Sequence, residues 1–309
     1  MNASEKATLI PESESRPYIS VVIPSIRGDS SELKRRFSGQ SWQPDDIQVI
    51  NGISPSGRAR NLGVKATRAN NQIQGDQILI FIDDDALPGD ARLIEALVKP
   101  LLNGREHKTN PIGVPGTARV LPPNATKFQR RVAAEIPRTT NPVPDQPLET
   151  NPPLEGYGHS FITTTCCATW YSIYESAGKF SEELSSGEDT DFFFRVRKCG
   201  YRFIMVPGVY VVHPAPKDLA ALLHKYYWYG VGYAQETQRR PDQRIGPRLP
   251  SLAHQIAFIL GATLWLLPNI FILYSYGYPH FRLGFRPVKA FSTYCVACGY
   301  VAGWRRGIY

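Results

Sequence analysis

Residues 77–85 read QILIFIDDD, a run of Ile, Leu and Phe closed by three consecutive aspartates. A short apolar run without polar alternation is the pattern of a strand buried on both faces. Residues 18–26, YISVVIPSI, have the same character and are closed by Pro24 and the turn residues Gly28 and Asp29. A shorter strand, IQVI at 47–50, is followed by the turn formers Asn51, Gly52, Ser54, Pro55 and Gly57. Polar helical stretches fall between these strands, near Ser30 to Ser38 and from Arg58 to Ala69. Strands alternating with helices over short connections predict an α/β fold whose parallel sheet carries helices on both faces.

Downstream, Gly89 to Leu102 predicts an amphipathic helix with Leu93, Leu97, Val98 and Leu101 on one side. Ile112 to Leu121 and Thr163 to Tyr171 are strand-like. Pro122 to Gly158, rich in Pro, Asn and Thr, lacks periodicity and reads as a long irregular insertion. Asp189 to Lys198 predicts a helix stopped by Gly200, and Phe203 to Val212 a closing strand.

The carboxyl ends of parallel strands open into a ligand crevice, which puts Asp83, Asp84 and Asp85 at its mouth. Adjacent carboxylates repel one another unless a cation holds them. Hard oxygen ligands favour Mg²⁺ or Mn²⁺, either of which neutralises charge on a departing diphosphate. A solvated acidic turn has the same letters; the buried strand before it favours the metal. A second acidic motif lies in GEDTDFFFRVRKCGYRF, residues 187–203. Glu188 and Asp189 begin a predicted helix, whose dipole favours ionised carboxylates, and such a group can take a hydroxyl proton as general base. An Asp there also serves as an ordinary helix cap.

The run from Tyr171 to His213, containing AGKFSEELSSGEDTDFFFRVRKCGYRFIMVPGVYVVH, resembles the second half of family 2 glycosyltransferase domains. YISVVIPSIRG, GRARNLGVKAT and QILIFIDDD are similar to the motifs of the first half, in the same order, so the resemblance covers Tyr18 to His213. It implies a GT-A fold, a mostly parallel Rossmann-like sheet flanked by helices. It also implies a UDP- or GDP-linked sugar donor, Mg²⁺ or Mn²⁺, and inversion at the anomeric carbon. By position, the resemblance assigns Asp84 to the donor ribose, Asp85 to the metal with Asp83 in support, Asp189 as base, and Glu188 beside it toward the acceptor. Asn51 stands where the family often has an Asp near the nucleobase. Arg60 either meets a phosphate or braces the sheet. His213 stands where some relatives place a histidine near the metal. Ser181 replaces the acidic residue of the family's pattern around Phe180.

After His213 the character changes. Lys217 to Gln238 holds LAALLHKYYWYGVGY, and Tyr226, Tyr227, Trp228 and Tyr229 suit an acceptor wall or an aromatic belt at a membrane interface. Arg239, Arg240, Arg244 and Arg248 come next, placed to meet anionic headgroups. Ala253 to Tyr276 contains no Lys, Arg, Asp or Glu and is long enough for a membrane-embedded helix; a buried core helix is the alternative. Ala290 to Trp304 is short for a span and suits a hairpin partner or a helix lying in the interface. Four segments follow: a polar tail at 1–17, a transferase domain at 18–215, an amphipathic basic segment at 216–250, and membrane-embedded or membrane-associated helices at 251–309.

The 309 residues carry a net charge of +8, with 42% hydrophobic and 20% charged residues, which excludes a disordered chain and suits an anionic partner. With the aromatic residues beside an apolar helix, that partner is a phosphorylated substrate or an acidic lipid, not nucleic acid. The expected acceptor is a glycan or a lipid-linked molecule. Residues 1–17 lack the pattern of a secretory signal, and five cysteines, two adjacent at Cys166 and Cys167, do not form a disulfide framework. Both point to a membrane-associated protein whose catalytic domain faces the cytoplasm. Cys295 and Cys298 form a CxxC with no partner ligands at zinc spacing, which leaves packing. A nucleotidyltransferase of related architecture would need a Gly- and Lys-rich phosphate loop after the first strand, where Ser25 to Asp29 offers only Arg27. A non-catalytic membrane protein would not need the intact DDD and GED segments. A Rossmann dehydrogenase would show GxGxxG after that strand, and none is there.

Overall fold

The structure is a computed structural model, and it describes residues 16–26, 28–69, 73, 76–104, 110–136, 143–154, 162–241, 246–273 and 282–307. Its centre is a mixed sheet in the order β2 (Asp46–Asn51), β1 (Tyr18–Ser25), β3 (Gln77–Ile82), β7 (Cys166–Trp170), β5 (Ile112–Val120), β8 (Arg202–Val212), β4 (Leu87–Pro88), with β6 (Leu148–Glu149) on β8. β1 pairs in parallel with β2 and β3, and β5 in parallel with β8. β7 is antiparallel to both β3 and β5, so β1, β2, β3, β5 and β8 all run the same way. The expected α/β, mostly parallel sheet is therefore present. Five strands end on one edge, which collects Ser25, Asn51, Asp83 and His213.

QILIFI is buried at every position, as its composition dictates, because β1 and β7 flank it and helices cover the sheet. α2 (Ser56–Ala69) packs on β1 and β2, and α3 (Leu93–Gly104) on β5, β7 and β8. α1 (Ser31–Ser38) buries Leu33 and Phe37. α5 (Tyr171–Ser176) lies against β3 and β7. α6 (Glu188–Lys198) buries Phe192 and Phe193 in an aromatic cluster with Phe81, Tyr174, Phe180 and Phe203. The DFFF run is therefore core on its Phe side.

Several expectations need correction. Pro122 to Gly158 is not irregular throughout: it holds α4 (Lys127–Glu135) and β6. A capping box starts α4, with Gln129 N donating to Thr126 Oγ1 and the Gln129 side chain accepting from Thr126 N, a local signal independent of apolar period. Residues 137–142 and 155–158 lie outside the described residues. The helix expected from Gly89 starts at Leu93, because Leu87 and Pro88 pair with β8 and Asp90 Oδ1 accepts from Arg92 N at 2.8 Å. Thr163 to Tyr171 is strand only from Cys166, and Tyr171 begins α5.

Beyond β8, α7 (Leu219–Arg239) starts from Asp218, whose carboxylate accepts from Ala221 N at 2.8 Å. α8 (Leu252–Phe271) is followed by β9 (Ile272–Leu273), which pairs with β10 (Arg282–Leu283), and by α9 (Pro287–Arg306). α8 is long and apolar enough to cross a membrane by length and composition, with a mean hydropathy of 1.3 over its best window and none of that window buried. α9 extends beyond the expected Ala290 to Trp304 and packs closely on α7. A Cβ added at Gly230 would collide with Val296 O, and one at Gly299 with Tyr227 O, so glycine lets these two backbones touch. Small residues at the crossing, not an apolar period, set that contact.

Candidate active site at the carboxyl edge of the sheet

Asp83, Asp84 and Asp85 follow β3, and each takes a different partner. Ser25 Oγ, at the end of β1, donates to Asp84 Oδ2 at 2.7 Å and accepts from Gly28 N at 2.9 Å. Asn51, at the end of β2, is exposed next to that turn, within 4 Å of the position of a Cβ on Gly28. Asp84 and Asn51 thus border one turn, Ser25 to Gly28.

Asp85 Oδ1 lies 3.3 Å from His213 Nε2, and His213 is fixed at the end of β8 by donation from its N to Val120 O. Asp83, Asp85 and His213 each offer a ligand atom, all within 4.8 Å of one another. The protein around Asp85 costs its carboxylate hydration. The hydrogen bond and charge of His213, then the charge of Lys225, outweigh that cost and hold its pKa below the ordinary carboxylate value. Lys225 belongs to α7, so α7 borders the site. Two carboxylates and an imidazole suit a borderline or hard divalent cation, and three protein ligands leave positions for phosphate oxygens. The donor set therefore fits Mn²⁺ or Mg²⁺.

The second acidic motif meets the first through Arg60. Its Nη2 donates to Asp83 Oδ1 at 2.8 Å and its Nη1 to Glu188 Oε1, with only 4% of the Arg60 side chain exposed. A carboxylate has two oxygens, so Asp83 can serve Arg60 and a cation together. Burial works against the Arg60 charge, but Glu188, Asp83 and Asp189 more than offset it and raise its pKa. Burial pushes Glu188 above the ordinary range despite Arg60, and Asp189 adds to that push. Arg60 thus joins the two acidic motifs through its two terminal nitrogens. Asp189 sits half-buried at the start of α6, with Oδ1 accepting from Thr190 N at 2.8 Å. Gly187 precedes it with φ +85°, a turn that glycine adopts without strain.

The loop before α6 is held by side chains from α2 and α7. Asn61 Nδ2 donates to Phe180 O at 2.9 Å and to Glu182 Oε1 at 2.8 Å, while its Oδ1 accepts from Tyr174 OH and Phe180 N. From α7, Gln235 Oε1 accepts from Ser185 N at 2.9 Å. Arg239 donates to Ser181 Oγ and lies 3.6 Å from Glu183 Oε2. Arg240 lies 3.4 Å from Asp191 Oδ1 and donates to Glu236 Oε1 at 2.7 Å. Arg239 and Arg240, expected at headgroups, lie within ion-pair distance of Glu183 and of Asp191 and Glu236 on the transferase side. Arg244 lies outside the described residues, and exposed Arg248 donates to Pro241 O at 3.3 Å. Ser181 is accordingly a partner of Arg239. Glu236 is 1% exposed, and its Oε2 has no hydrogen-bond partner among the described residues. Burial raises its pKa to about 8, with Arg240 opposing and the charges of Asp191 and Asp189 adding. A carboxylate three positions beyond the last aromatic residue of the helix, Tyr233, carries no motif, and only the fold could reveal it.

Half-buried Tyr226 and Tyr229 meet edge to face, and Arg306 lies over Trp228 at 5.1 Å. Cys166 and Cys167 are buried free thiols in β7, their pKa values raised by burial, Cys166 to about 12, as expected of unreactive core cysteines. Cys295 and Cys298 are free, and no described cluster makes them a metal site.

Fold and site together define an α/β protein with a candidate cation group, two carboxylates and an imidazole, at the carboxyl edge of its sheet. No known protein family matches the chain, and no curated protein does. Among solved structures it is similar to TarS of S. aureus, with 13% identity, a TM-score of 0.42 and 93% of this chain covered. The chain spans 55% of the length of that TarS chain. Against TarS residues 1–349 the identity is 14%, the TM-score 0.41, and 93% of this chain and 89% of that one are covered. Against the same segment in complex with UDP the values are 12%, 0.42, 93% and 90%. Overlap at that level establishes neither common descent nor a shared activity.

Proposed function

We propose that this chain is a metal-dependent, inverting glycosyltransferase of the family 2 type. It takes a sugar from a UDP- or GDP-linked donor and delivers it to a glycan or lipid-linked acceptor at the cytoplasmic face of a membrane. One observation carries the proposal. The two acidic motifs that resemble the donor and base motifs of that family, more than a hundred positions apart, meet at the buried Arg60, beside a group able to hold a divalent cation.

In this proposal Asp83, Asp85 and His213 hold Mn²⁺ or Mg²⁺, which supplies positive charge to the diphosphate. Asp84, fixed by Ser25, receives the ribose hydroxyls, and Asn51 lies beside the nucleobase. Arg60 keeps Asp83 and Glu188 in register. An acceptor hydroxyl attacks the anomeric carbon from the side opposite the diphosphate. The new C–O bond forms as the bond to the β-phosphate oxygen breaks, the nucleoside diphosphate leaves with that electron pair, and the hydroxyl proton passes to Asp189. Attack and departure on opposite faces invert the anomeric carbon. Glu188 borders the acceptor side. A deprotonated base at this position contributes about 10²–10⁴ in rate.

The test is a panel of UDP-, GDP- and dTDP-sugars with Mn²⁺, reading out nucleoside diphosphate and pyrophosphate. Release of diphosphate with one donor supports the proposal. Release of pyrophosphate makes the chain a nucleotidyltransferase, and no turnover or Mn²⁺–nucleotide binding leaves a non-catalytic protein.

A further inference from the structure

α8 is long and apolar enough for a membrane span, yet its attachments run the wrong way for one. It lies antiparallel to α9 from end to end. Arg305 Nε donates to Gln255 Oε1 at 2.7 Å, Phe258 and Tyr300 have ring centroids 5.5 Å apart, and Thr263 Oγ1 donates to Tyr294 OH at 3.2 Å. At the other end Arg286 N donates to Ile270 O at 2.7 Å and Gly284 N to Phe271 O at 2.9 Å.

Both ends of α9 are in turn fastened to the globular body. Near its start, Lys289 N donates to Glu135 Oε2 at 3.0 Å and Arg131 Nη2 donates to Phe285 O at 2.8 Å, both from α4. α4 is itself tied to the chain after β8, with Gln129 Nε2 donating to Ala215 O. Near the end of α9, Tyr300 OH donates to Thr237 Oγ1 at 3.0 Å and Arg306 stacks over Trp228, both on α7. A 20-residue helix is about 30 Å long, enough to separate its ends by a hydrocarbon core. Here both ends stay on one folded body, so crossing would drag α4 or α7 through the bilayer.

The outward face of α8 is nonetheless apolar. Leu252, Ile256, Leu260, Leu264, Leu267 and Phe271 recur at steps of three and four, form one stripe and are exposed, Leu264 by 79%. Residues 243–309 contain no Asp or Glu but carry Arg244, Arg248, Arg282, Arg286, Lys289, Arg305 and Arg306. An apolar stripe set in a purely cationic segment matches an anionic lipid surface. It opposes a second copy of itself, since two such surfaces repel.

We propose that α8 is an in-plane anchor, seated along its length in the headgroup boundary of an anionic bilayer, and not a span. Such helices sink their apolar face about 5–10 Å. This rests on the membrane location proposed above and decides its geometry. The whole α8–α9 hairpin then stays on the catalytic side.

Cysteine accessibility in the full chain tests the geometry. In a Cys199→Ser background, Ser251→Cys and Phe285→Cys bracket α8. Sealed inside-out and right-side-out vesicles from expressing cells are treated with a membrane-impermeant maleimide, with the parent background as control. Labelling of both positions from the same side is expected; labelling from opposite sides overturns the proposal. A second measurement tests the occupant. Leu260→Asp with Leu264→Asp is expected to lower sedimentation with phosphatidylglycerol vesicles at least about tenfold. Unchanged binding overturns the proposal, as does a lipid-free dimer of the parent that the same substitutions disperse. Mn²⁺–UDP titration separates the two readings: a chain that binds vesicles this way but no nucleotide keeps the anchor and loses only the transferase assignment.

Discussion

Arg60 and Glu188, 128 positions apart, form a buried ion pair that joins α2 to the first turn of α6. Because Arg60 also holds Asp83, one guanidinium fixes the separation of the two acidic motifs. Removing one member of a buried pair leaves the other charge uncompensated. Arg60→Met is therefore expected to cost about 3–5 kcal/mol, seen as a lower midpoint in thermal or urea unfolding. A midpoint equal to that of the parent would mean that the pair does not brace the site.

The cation group predicts a separable defect. Asp85 and His213 stand at the open edge of the sheet, with 47% and 17% of their side chains exposed, so Asp85→Ala and His213→Ala should change thermal unfolding little. Each should weaken Mn²⁺-dependent UDP binding at least about tenfold in calorimetric titration. Nucleotide binding that is insensitive to both substitutions and to chelation would remove the metal from this site.

Asp189→Asn should retain donor binding while lowering turnover by about 10²–10⁴, because it removes a proton acceptor and little volume. Single-turnover kinetics with a bound donor distinguishes this from a binding defect. Equal turnover in the variant would move the base elsewhere.

Glu236 predicts a pH dependence of stability. Its folded pKa, raised from 4.5 to about 8, lies above the unfolded value, so the folded state binds the proton more tightly. The stabilisation from this group is complete below pH 4.5 and is lost as pH rises toward 8. The loss is on the order of 2–4 kcal/mol across that window. Glu236→Gln, which keeps the shape without the charge, should flatten the difference in unfolding midpoint between pH 5 and pH 8. Parallel profiles for parent and variant would mean that Arg240 keeps the carboxylate ionised throughout.

The α7–α9 crossing predicts a packing cost. Gly299→Ala places a methyl group on Tyr227 O and should destabilise by about 1–3 kcal/mol in chemical unfolding. No change would mean that the two helices already stand apart in solution.

Much of the scaffold was legible in the sequence. β1, β2, β3 and β8 lie where their apolar runs predicted; β1 and β3, each between two neighbours under helices, have no polar face to disguise them, and β2 lies at the sheet edge. α4 and α5 were not legible. α4 owes its start to a two-residue cap exchange, and α5 begins directly from a strand with no intervening turn residue. The acidic motifs were visible as types of residue. Their partners were less so: Ser25 under Asp84, Asn61 under the Phe180 loop, and Gln235 and Glu236 reaching back from α7.

Local order along the chain determined the long central strands, the acidic clusters at strand and helix ends, and the apolar, carboxylate-free character of the last 67 residues, since each depends on neighbours within a turn or a pleat. Only the tertiary structure decided that Arg60 joins Asp83 to Glu188, that Arg239 and Arg240 lie against the loop before α6 and α6 itself, and that α8 is held at both ends by one body. Composition gives a side chain its chemistry, but its partner is set by which distant backbones pack together, and that is a property of the closed fold.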